Sequence, residues 1–150
     1  MREASAADVR FRGPTDRFYA AFVSSSSNSG TFVYFDGDDV GAHIELHLLR
    51  NEIEGSAALS AYVVKAVGEI SDEIRTQMDG TVIFAAGDEI LAILPKPPSV
   101  EAIDQLRSGF TISTGLTISC GIGATAAEAA RNLHLAKLLG KNRLHGTVRA

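Results

Sequence analysis

The hydrophobic and polar positions of this chain follow two different patterns along its length. Short runs of apolar and β-branched residues, bounded by glycine, proline or acidic residues, predict buried strands. These runs cover residues 31–35, 81–85, 90–94, 116–123 and, near the end of the chain, 147–149. The second and third runs flank the turn Ala86-Gly87-Asp88-Glu89, which predicts a hairpin with an acidic tip.

Between these runs, apolar residues recur every three or four positions, which predicts helices with one buried face. The predicted helices cover about 44–49, 56–78, 99–108 and 126–139. Gly55-Ser56 is expected to separate the first helix from the second, and Gly140 to act as the C-cap of the last. The order of these elements predicts an α+β domain with the ferredoxin-like βαββαβ plan and an additional helix.

Residues 1–30 differ in composition from the rest of the chain. They mix charges with Gly13 and Pro14, hold a short aromatic patch at 18–22, and end in a run of serine, asparagine and glycine. Such a segment buries little apolar area, so we expect a flexible or partly ordered leader, followed by one folded domain over 31–150. The aromatic patch has two alternatives to a plain leader, an edge strand and a dimer contact.

The overall composition excludes several classes of protein. A formal charge of -4 argues against a protein that grips polymeric nucleic acid, because that task needs an excess of Lys and Arg. The single cysteine, Cys120, excludes a disulfide framework and a cysteine-rich zinc site. No apolar run approaches the roughly 20 residues that cross a bilayer, and no signal-type apolar core follows the charged N-terminus. We therefore expect a cytoplasmic location.

Acidic residues end the first strand and occupy the tip of the hairpin. Asp36 ends the strand beside Gly37, and Asp88 and Glu89 follow Gly87 in the turn. The predicted crossover makes strands one and two parallel, so both groups should meet at one edge of the sheet. Carboxylates suit Mg²⁺ or Mn²⁺, and two ions about 4 Å apart support phosphoryl transfer. The alternative is that these Asp-Gly and Gly-Asp pairs only form turns.

Three cationic residues, Lys137, Lys141 and Arg143, lie at the end of the last helix and in the turn after it. One interpretation is that they stabilise the helix C-terminus through its dipole. The other is that they clamp the β- and γ-phosphates of a nucleotide bound to metal at the acidic cluster. His43 follows the acidic loop and is expected near the nucleotide base. Its i, i+4 pairing with His47 lacks the third ligand that a zinc site needs.

Four motifs together resemble a known family. They are Asp36-Gly37-Asp38-Asp39-Val40-Gly41, Ala86-Gly87-Asp88-Glu89-Ile90, Ser119-Cys120-Gly121-Ile122-Gly123 and Ala136-Lys137-Leu138-Leu139-Gly140-Lys141-Asn142-Arg143. They follow the order found in GGDEF-type cyclases and in the palm domains of CRISPR polymerases, and the resemblance covers about residues 31–149. The small size and the form of the first motif most resemble the minimal CRISPR polymerase family.

The resemblance implies a nucleotidyltransferase that condenses nucleoside triphosphates, with ATP as the expected substrate, into a cyclic di- or oligonucleotide second messenger. It implies a role in anti-phage signalling, a homodimer with two facing active sites, and a separate membrane effector that senses the product. Base specificity, linkage, ring size and the activating trigger are left open.

The resemblance also implies the roles of individual residues. Asp36 and Asp88 would hold two Mg²⁺ or Mn²⁺ ions, the Gly37 carbonyl would add a ligand, and Glu89 would assist. The implied substrate-binding residues are Gly37, Asp38, Asp39, Val40, Gly41, His43, Gly87, Lys137, Lys141 and Arg143.

The chain departs from the GGDEF pattern in two respects. Ala86 and Ile90 replace a glycine and a phenylalanine of the signature, which weakens a strict diguanylate cyclase assignment. The Arg-x-x-Asp motif of product inhibition is missing before the hairpin, so feedback of that kind is not expected. The alternative functions are an inactive palm domain that binds a nucleotide as a regulatory module, and a plain ferredoxin-like interaction domain.

Overall fold

The computed structural model describes residues 30–149. Apart from Gly30, the predicted leader lies outside these residues, as does Ala150. The strands are β1 (Thr31–Gly37), β2 (Thr81–Ala86), β3 (Glu89–Leu94), β4 (Ile118–Gly123) and β5 (Leu144–Gly146). The helices are α1 (Val40–Leu49), α2 (Ile53–Gln77), α3 (Val100–Thr114) and α4 (Ala126–Leu138).

The strands form one sheet in the order β2-β3-β1-β4-β5. β1 lies at its centre and is antiparallel to both β3 and β4, whereas β5 is parallel to β4. Since β2 and β3 form an antiparallel hairpin, β1 and β2 run in the same direction. The first four strands have the ferredoxin-like arrangement, so the predicted α+β fold with an additional helix is confirmed.

The hydrophobic core lies between the sheet and helices α2 and α3. Strand alternation directs Val33 and Phe35 of β1 into it, and both are fully buried. Ile74 of α2 and Phe110 of α3 pack against the same side of the sheet. The next residues along β1, including Asp36, therefore face the opposite side.

Helix α4 covers part of that opposite side, and glycine allows its close approach. A Cβ atom added at Gly121 would lie 2.1 Å from the Ala129 carbonyl oxygen and 2.2 Å from the Leu133 nitrogen. Gly123 is equally tight, since an added Cβ would lie 2.6 Å from the Ala129 nitrogen. Because β4 carries no side chain at these two positions, α4 packs directly on the backbone of the strand.

The predicted break between the first two helices was wrong in position. Helix α1 ends at Leu49, Asn51 adopts a left-handed backbone with φ 57°, and α2 already begins at Ile53. Gly55 therefore lies inside the first turn of α2. A Cβ atom there would lie 2.7 Å from His47 Nδ1, so this glycine allows α1 and α2 to approach each other.

Other predicted boundaries were also wrong. Helix α1 begins at Val40 and not near residue 44, and the C-cap of α4 is Leu139 and not Gly140. Helix α3 continues past residue 108 to Thr114, because Phe110 is buried in the core. Gly115, with φ 73°, is its C-cap. The last strand is Leu144–Gly146 and not 147–149, because the turn after α4 is tight and the chain reaches β4 early. Arg149 instead forms a single bridge with Ser99. No helix among residues 30–149 is long and apolar enough to span a membrane.

Candidate active site

The end of β1 and the tip of the β2–β3 hairpin lie side by side. Asp36 is directly opposite Glu89 in the β1–β3 register. The backbone N–H of Gly37 donates to the carbonyl oxygen of Asp88 at 3.1 Å. The structure thus places the two acidic groups side by side at the same end of the sheet, where β1 ends and the hairpin turns.

The carboxylate of Asp88 packs over the backbone of Gly37. A Cβ atom at Gly37 would lie 2.8 Å from Asp88 Oδ2, so any larger residue would displace this carboxylate. Burial raises the pKa of Asp88, and the negative charge of Asp36 raises it further. A bound cation would be stabilising beside Asp88, because it would offset both the burial of this carboxylate and the repulsion from Asp36.

The ammonium group of Lys137 reaches from α4 to the end of β1. Its Nζ atom lies 2.9 Å from the Asp36 carbonyl oxygen, 3.0 Å from Asp36 Oδ2 and 2.8 Å from the Gly37 carbonyl oxygen. It also donates to Asp38 Oδ1 at 2.8 Å. Four oxygens around one ammonium show that this end of the strand attracts positive charge.

Asp38 is buried and its carboxylate is saturated by donors of the protein. Besides Lys137, it accepts hydrogen bonds from Thr117 Oγ1 at 2.7 Å, Ser119 Oγ at 2.8 Å and the Asn142 N–H at 2.9 Å. Burial alone would raise the pKa of Asp38, but these hydrogen bonds outweigh it and lower the pKa below its usual range. Asp38 thus connects the end of β1 to β4 and to the turn after α4.

Asp39 and Lys141 form the solvent-facing part of the site. Asp39 adopts a left-handed backbone, φ 59° and ψ 22°, immediately before α1. Lys141 donates to its carboxylate, and this hydrogen bond raises the pKa of Lys141. His43 Nδ1 lies 2.9 Å from the Asp39 carbonyl oxygen. With Gly140, these residues line a depression of about 330 Å³ beside the acidic cluster.

A model of the minimal CRISPR polymerase domain matches residues 32–147. The chain belongs to the minimal CRISPR polymerase family. The resemblance inferred from the four motifs is therefore confirmed.

Solved structures share the fold of this minimal CRISPR polymerase at low sequence identity. A Csm1-Csm4 cassette in complex with pppApA aligns at 18% identity and a TM-score of 0.60, over 81% of this chain and 21% of that chain. The GGDEF domain of DgcB from Caulobacter crescentus, in complex with c-di-GMP, aligns at 14% identity and a TM-score of 0.57, over 84% and 80%. These likenesses show a palm fold of the kind found in nucleotide cyclases.

The minimal CRISPR polymerase chain spans only about a fifth of the Csm1-Csm4 chain that it matches. Among curated proteins, none matches this chain.

The remaining predicted site residues of the minimal CRISPR polymerase lie around this cluster. Gly87 has φ 59° in the two-residue turn of the hairpin. Val40 is buried beneath Gly37, whereas Gly41, in the first turn of α1, has open space where a side chain would lie. Arg143 donates from Nε to the Lys141 carbonyl oxygen at 3.2 Å. The structure thus places Arg143 in the turn after α4, directly before β5 and in contact with Lys141.

The oxygens at the end of β1 and in the hairpin fit a hard divalent cation. No three Asp, Glu, His or Cys side chains between residues 30 and 149 are arranged to hold a metal ion. The available ligands are the carboxylates of Asp36 and Asp88 and the Gly37 carbonyl, and Lys137 already places a positive charge on two of these groups. Mg²⁺ commonly uses one or two carboxylates together with phosphate and water, so this donor set suits it.

Two features of the site were not predicted from the sequence. Tyr34 Oη donates to Glu89 Oε1 at 3.2 Å, and burial together with the Glu89 charge raises the pKa of Tyr34. Strand alternation could have found Tyr34, because it precedes Asp36 by two positions. Ser119 begins the third motif but was given no role, and Thr117 had no signal. Their hydrogen bonds to Asp38 depend on the pairing of β4 with β1.

Proposed function

We propose that this minimal CRISPR polymerase is a metal-dependent cyclase that condenses nucleoside triphosphates, with ATP as the substrate, into a cyclic di- or oligonucleotide. One observation carries the proposal: Asp36 and Asp88 adjoin at the end of β1 and the tip of the hairpin, with Lys137 on Asp36 and Lys141 on nearby Asp39. Carboxylates for divalent cations next to cations for phosphates are the two components that phosphoryl transfer requires.

The ligands of the structural relatives support a nucleotide as substrate. Csm1-Csm4 cassettes were crystallised in complex with one ATP, with pppApA and with cA4. DgcB was crystallised with c-di-GMP. Adenine nucleotides therefore come first in our proposal, and a guanine nucleotide is the principal competitor.

The chemistry consists of two or more condensations of one kind. A ribose hydroxyl oxygen attacks the α-phosphorus of a triphosphate, the bond from this phosphorus to the bridging oxygen of the β-phosphate breaks, and pyrophosphate leaves. The hydroxyl proton passes to solvent. Asp36, Asp88 and the Gly37 carbonyl would hold Mg²⁺ or Mn²⁺, with Glu89 assisting. When bound, these ions supply the positive charge that favours the attacking alkoxide and the departing pyrophosphate.

The lysines have different parts in this proposal. Lys141 is exposed and, among residues 30–149, its ammonium pairs only with Asp39, so it can turn from this carboxylate to the β- and γ-phosphates. Lys137 is more enclosed and contacts the end of β1, so it neutralises the negative charge of Asp36 and Asp38. Asp38 is saturated by protein donors and positions Lys137 and the β1 end. His43, in the first turn of α1, borders the depression where a base would lie, and Gly41 in the same turn has open space where a side chain would be.

The wider function follows from the need to form more than one bond. We propose a homodimer in which two sites face each other, each with one triphosphate. The product would act in the cytoplasm as an anti-phage signal and would be sensed by a separate membrane effector. No direct binding of polymeric nucleic acid is required of the protein.

The decisive experiment is incubation of the purified protein with each of the four nucleoside triphosphates, singly and mixed, with Mg²⁺ or Mn²⁺. The expected result is pyrophosphate release and a phosphatase-resistant product that mass spectrometry identifies. Asp36→Asn and Asp88→Asn should abolish both, whereas Asp72→Asn, at an exposed position on α2, should retain them. Full activity in Asp36→Asn or Asp88→Asn would refute the assignment.

One observation favours a second candidate, a palm domain that binds a nucleotide without turnover. Lys137 lies on the Asp36 carboxylate and the Gly37 carbonyl, which are oxygens that a metal would use. If the ammonium were not displaced, the domain would bind nucleotide through its cations only. Calorimetry that shows tight, metal-independent binding of ATP, together with no pyrophosphate release, would establish this regulatory function instead.

A further inference from the structure

The side of the sheet that carries Asp36 is only partly covered by helices. Helix α4 packs on β4 and β1 on this side, and α2 and α3 pack on the other. On the α4 side, β3 and β2 therefore have no extensive helix contact within residues 30–149. An apolar surface exposed at this location calls for an explanation, because apolar sheet faces are normally buried.

Five apolar side chains from three strands form this surface, which we call the aromatic sheet surface: Phe32, Tyr34, Phe84, Leu91 and Ile93. The strand registers place them in two rows, Phe84, Leu91 and Tyr34 in one, and Ile93 with Phe32 in the next. Phe84 is 38% exposed, and the other four are half-buried. The rings of Tyr34 and Phe84 meet edge to face with their centroids 6.0 Å apart.

The aromatic sheet surface is continuous with the candidate active site. Asp36 and Glu89 lie on the same face of the sheet as Tyr34 and Leu91, two positions further along β1 and two positions back along β3. Two residues of a strand span about 7 Å, so the first apolar row lies one repeat from the carboxylates. The hydrogen bond from Tyr34 to Glu89 joins the two. A ligand whose phosphate lies at Asp36 therefore has an apolar surface within reach.

We propose that the aromatic sheet surface binds a nucleobase of the linear oligonucleotide that forms between the first and last condensations. This inference rests on the proposed function. After the first condensation, the linear product keeps one triphosphate and must remain bound until its second bond forms. The surface has no Lys or Arg of its own, so it suits the apolar face of a base and not a phosphate. Aromatic side chains on open sheets of this topology stack on bases in RNA-binding domains.

A binding experiment without turnover tests the proposal. The probe is linear pApA, which has a 5′-monophosphate and cannot release pyrophosphate. The sequence contains no tryptophan, so Phe84→Trp introduces a single indole into the aromatic sheet surface. We expect pApA to quench its fluorescence saturably. Phe84→Ser should weaken pApA binding about fivefold to a hundredfold, the usual effect of losing one stacking partner.

The matched control is Tyr62→Ser, which removes a 53% exposed aromatic side chain from α2, outside the sheet. It should leave the affinity for pApA unchanged. Equal affinities of Phe84→Ser and Tyr62→Ser, with no quenching of the Phe84→Trp indole, would overturn the proposal. So would a Phe84→Ser protein that binds pApA normally and differs only in its sedimentation, because the surface would then be an interface between copies of this chain.

Turnover separates this inference from the proposed function. If the wild-type protein releases pyrophosphate from ATP, Phe84→Ser should release a larger share of its product as linear pppApA. An unchanged ratio of linear to cyclic product would overturn the inference and leave the cyclase intact. Absence of pyrophosphate release in the wild type would refute the cyclase, whatever pApA binding shows.

Discussion

Asp38 Oδ1 and Lys137 Nζ lie 2.8 Å apart, although 99 residues separate them in the sequence. The pair joins the end of the central strand to the last helix. Because Lys137 also contacts two backbone carbonyls of the β1 end, the same contact positions the residues that are proposed to bind metal. The stability of the fold and the geometry of the site are therefore coupled.

Asp38→Asn should destabilise the protein strongly. The substitution keeps the shape of the side chain but removes the negative charge that faces Lys137. The new amide N–H groups would also face hydrogen-bond donors where the carboxylate had accepted hydrogen bonds. Loss of one partner of a buried pair costs about 3–5 kcal/mol. Urea unfolding measures this loss. Asp72→Asn is the control, because its exposed pair with Arg75 contributes at most about 1 kcal/mol; an equal loss in both variants would contradict the structural role of Asp38.

Asp88→Asn should stabilise the protein at neutral pH and abolish catalysis. The folded state raises the pKa of Asp88 above its ordinary value of 3.8, so the folded protein binds the proton more tightly than the unfolded chain. Its contribution to stability is thus present at low pH and is lost as pH rises through the folded pKa. Melting temperatures measured between pH 4 and 7 should fall less in Asp88→Asn than in the wild type.

The same carboxylate gives a second readout. Mg²⁺ or Mn²⁺ should raise the melting temperature of the wild type at pH 7, since a ligand that binds only the folded state stabilises it. Asp88→Asn should lose most of this shift. Equal shifts in both proteins would place the cation elsewhere.

Lys141→Ala should weaken substrate binding with no measurable change in the urea midpoint. Its ammonium is exposed and bonds only to Asp39 in the described part of the chain, so folding depends little on it. Loss of one charged contact with phosphate should raise the dissociation constant for ATP about tenfold.

Lys137→Met should instead lower stability by roughly 3 kcal/mol, because four oxygens lose their donor. If both lysines served only to contact substrate, Lys137→Met would leave the urea midpoint unchanged, as Lys141→Ala does.

Gly121→Ala should displace α4 from the sheet. The new methyl group would lie about 2 Å from backbone atoms of Ala129 and Leu133. This clash can be relieved only if α4 moves away from the strand. We expect a loss of roughly 2–3 kcal/mol and reduced turnover, since α4 carries Lys137. Gly109→Ala inside α3 meets no atom within 4 Å and should stabilise the protein by about 0.5–1 kcal/mol. Thermal unfolding of both variants measures the difference.

Local patterns in the sequence were sufficient for the order of strands and helices, the hairpin and the positions of the carboxylates. A strand and its turn are determined by a few consecutive residues: Gly87 supplies the positive φ of the hairpin turn, and β-branched runs predict the strands on either side. The same information placed Asp36 and Asp88 at one edge of the sheet. The four motifs were sufficient to identify the family.

Only the tertiary structure decided where the elements end and what each charged side chain contacts. The end of α3 depends on the burial of Phe110 in the core, and the position of Gly55 depends on the packing of α1 against α2 at His47. Asp38 and Asp39 are neighbours of one chemical type, yet one is enclosed by donors from β4 and α4 while the other faces solvent. Composition and spacing do not distinguish them, because burial is a property of the packed chain and not of the local sequence.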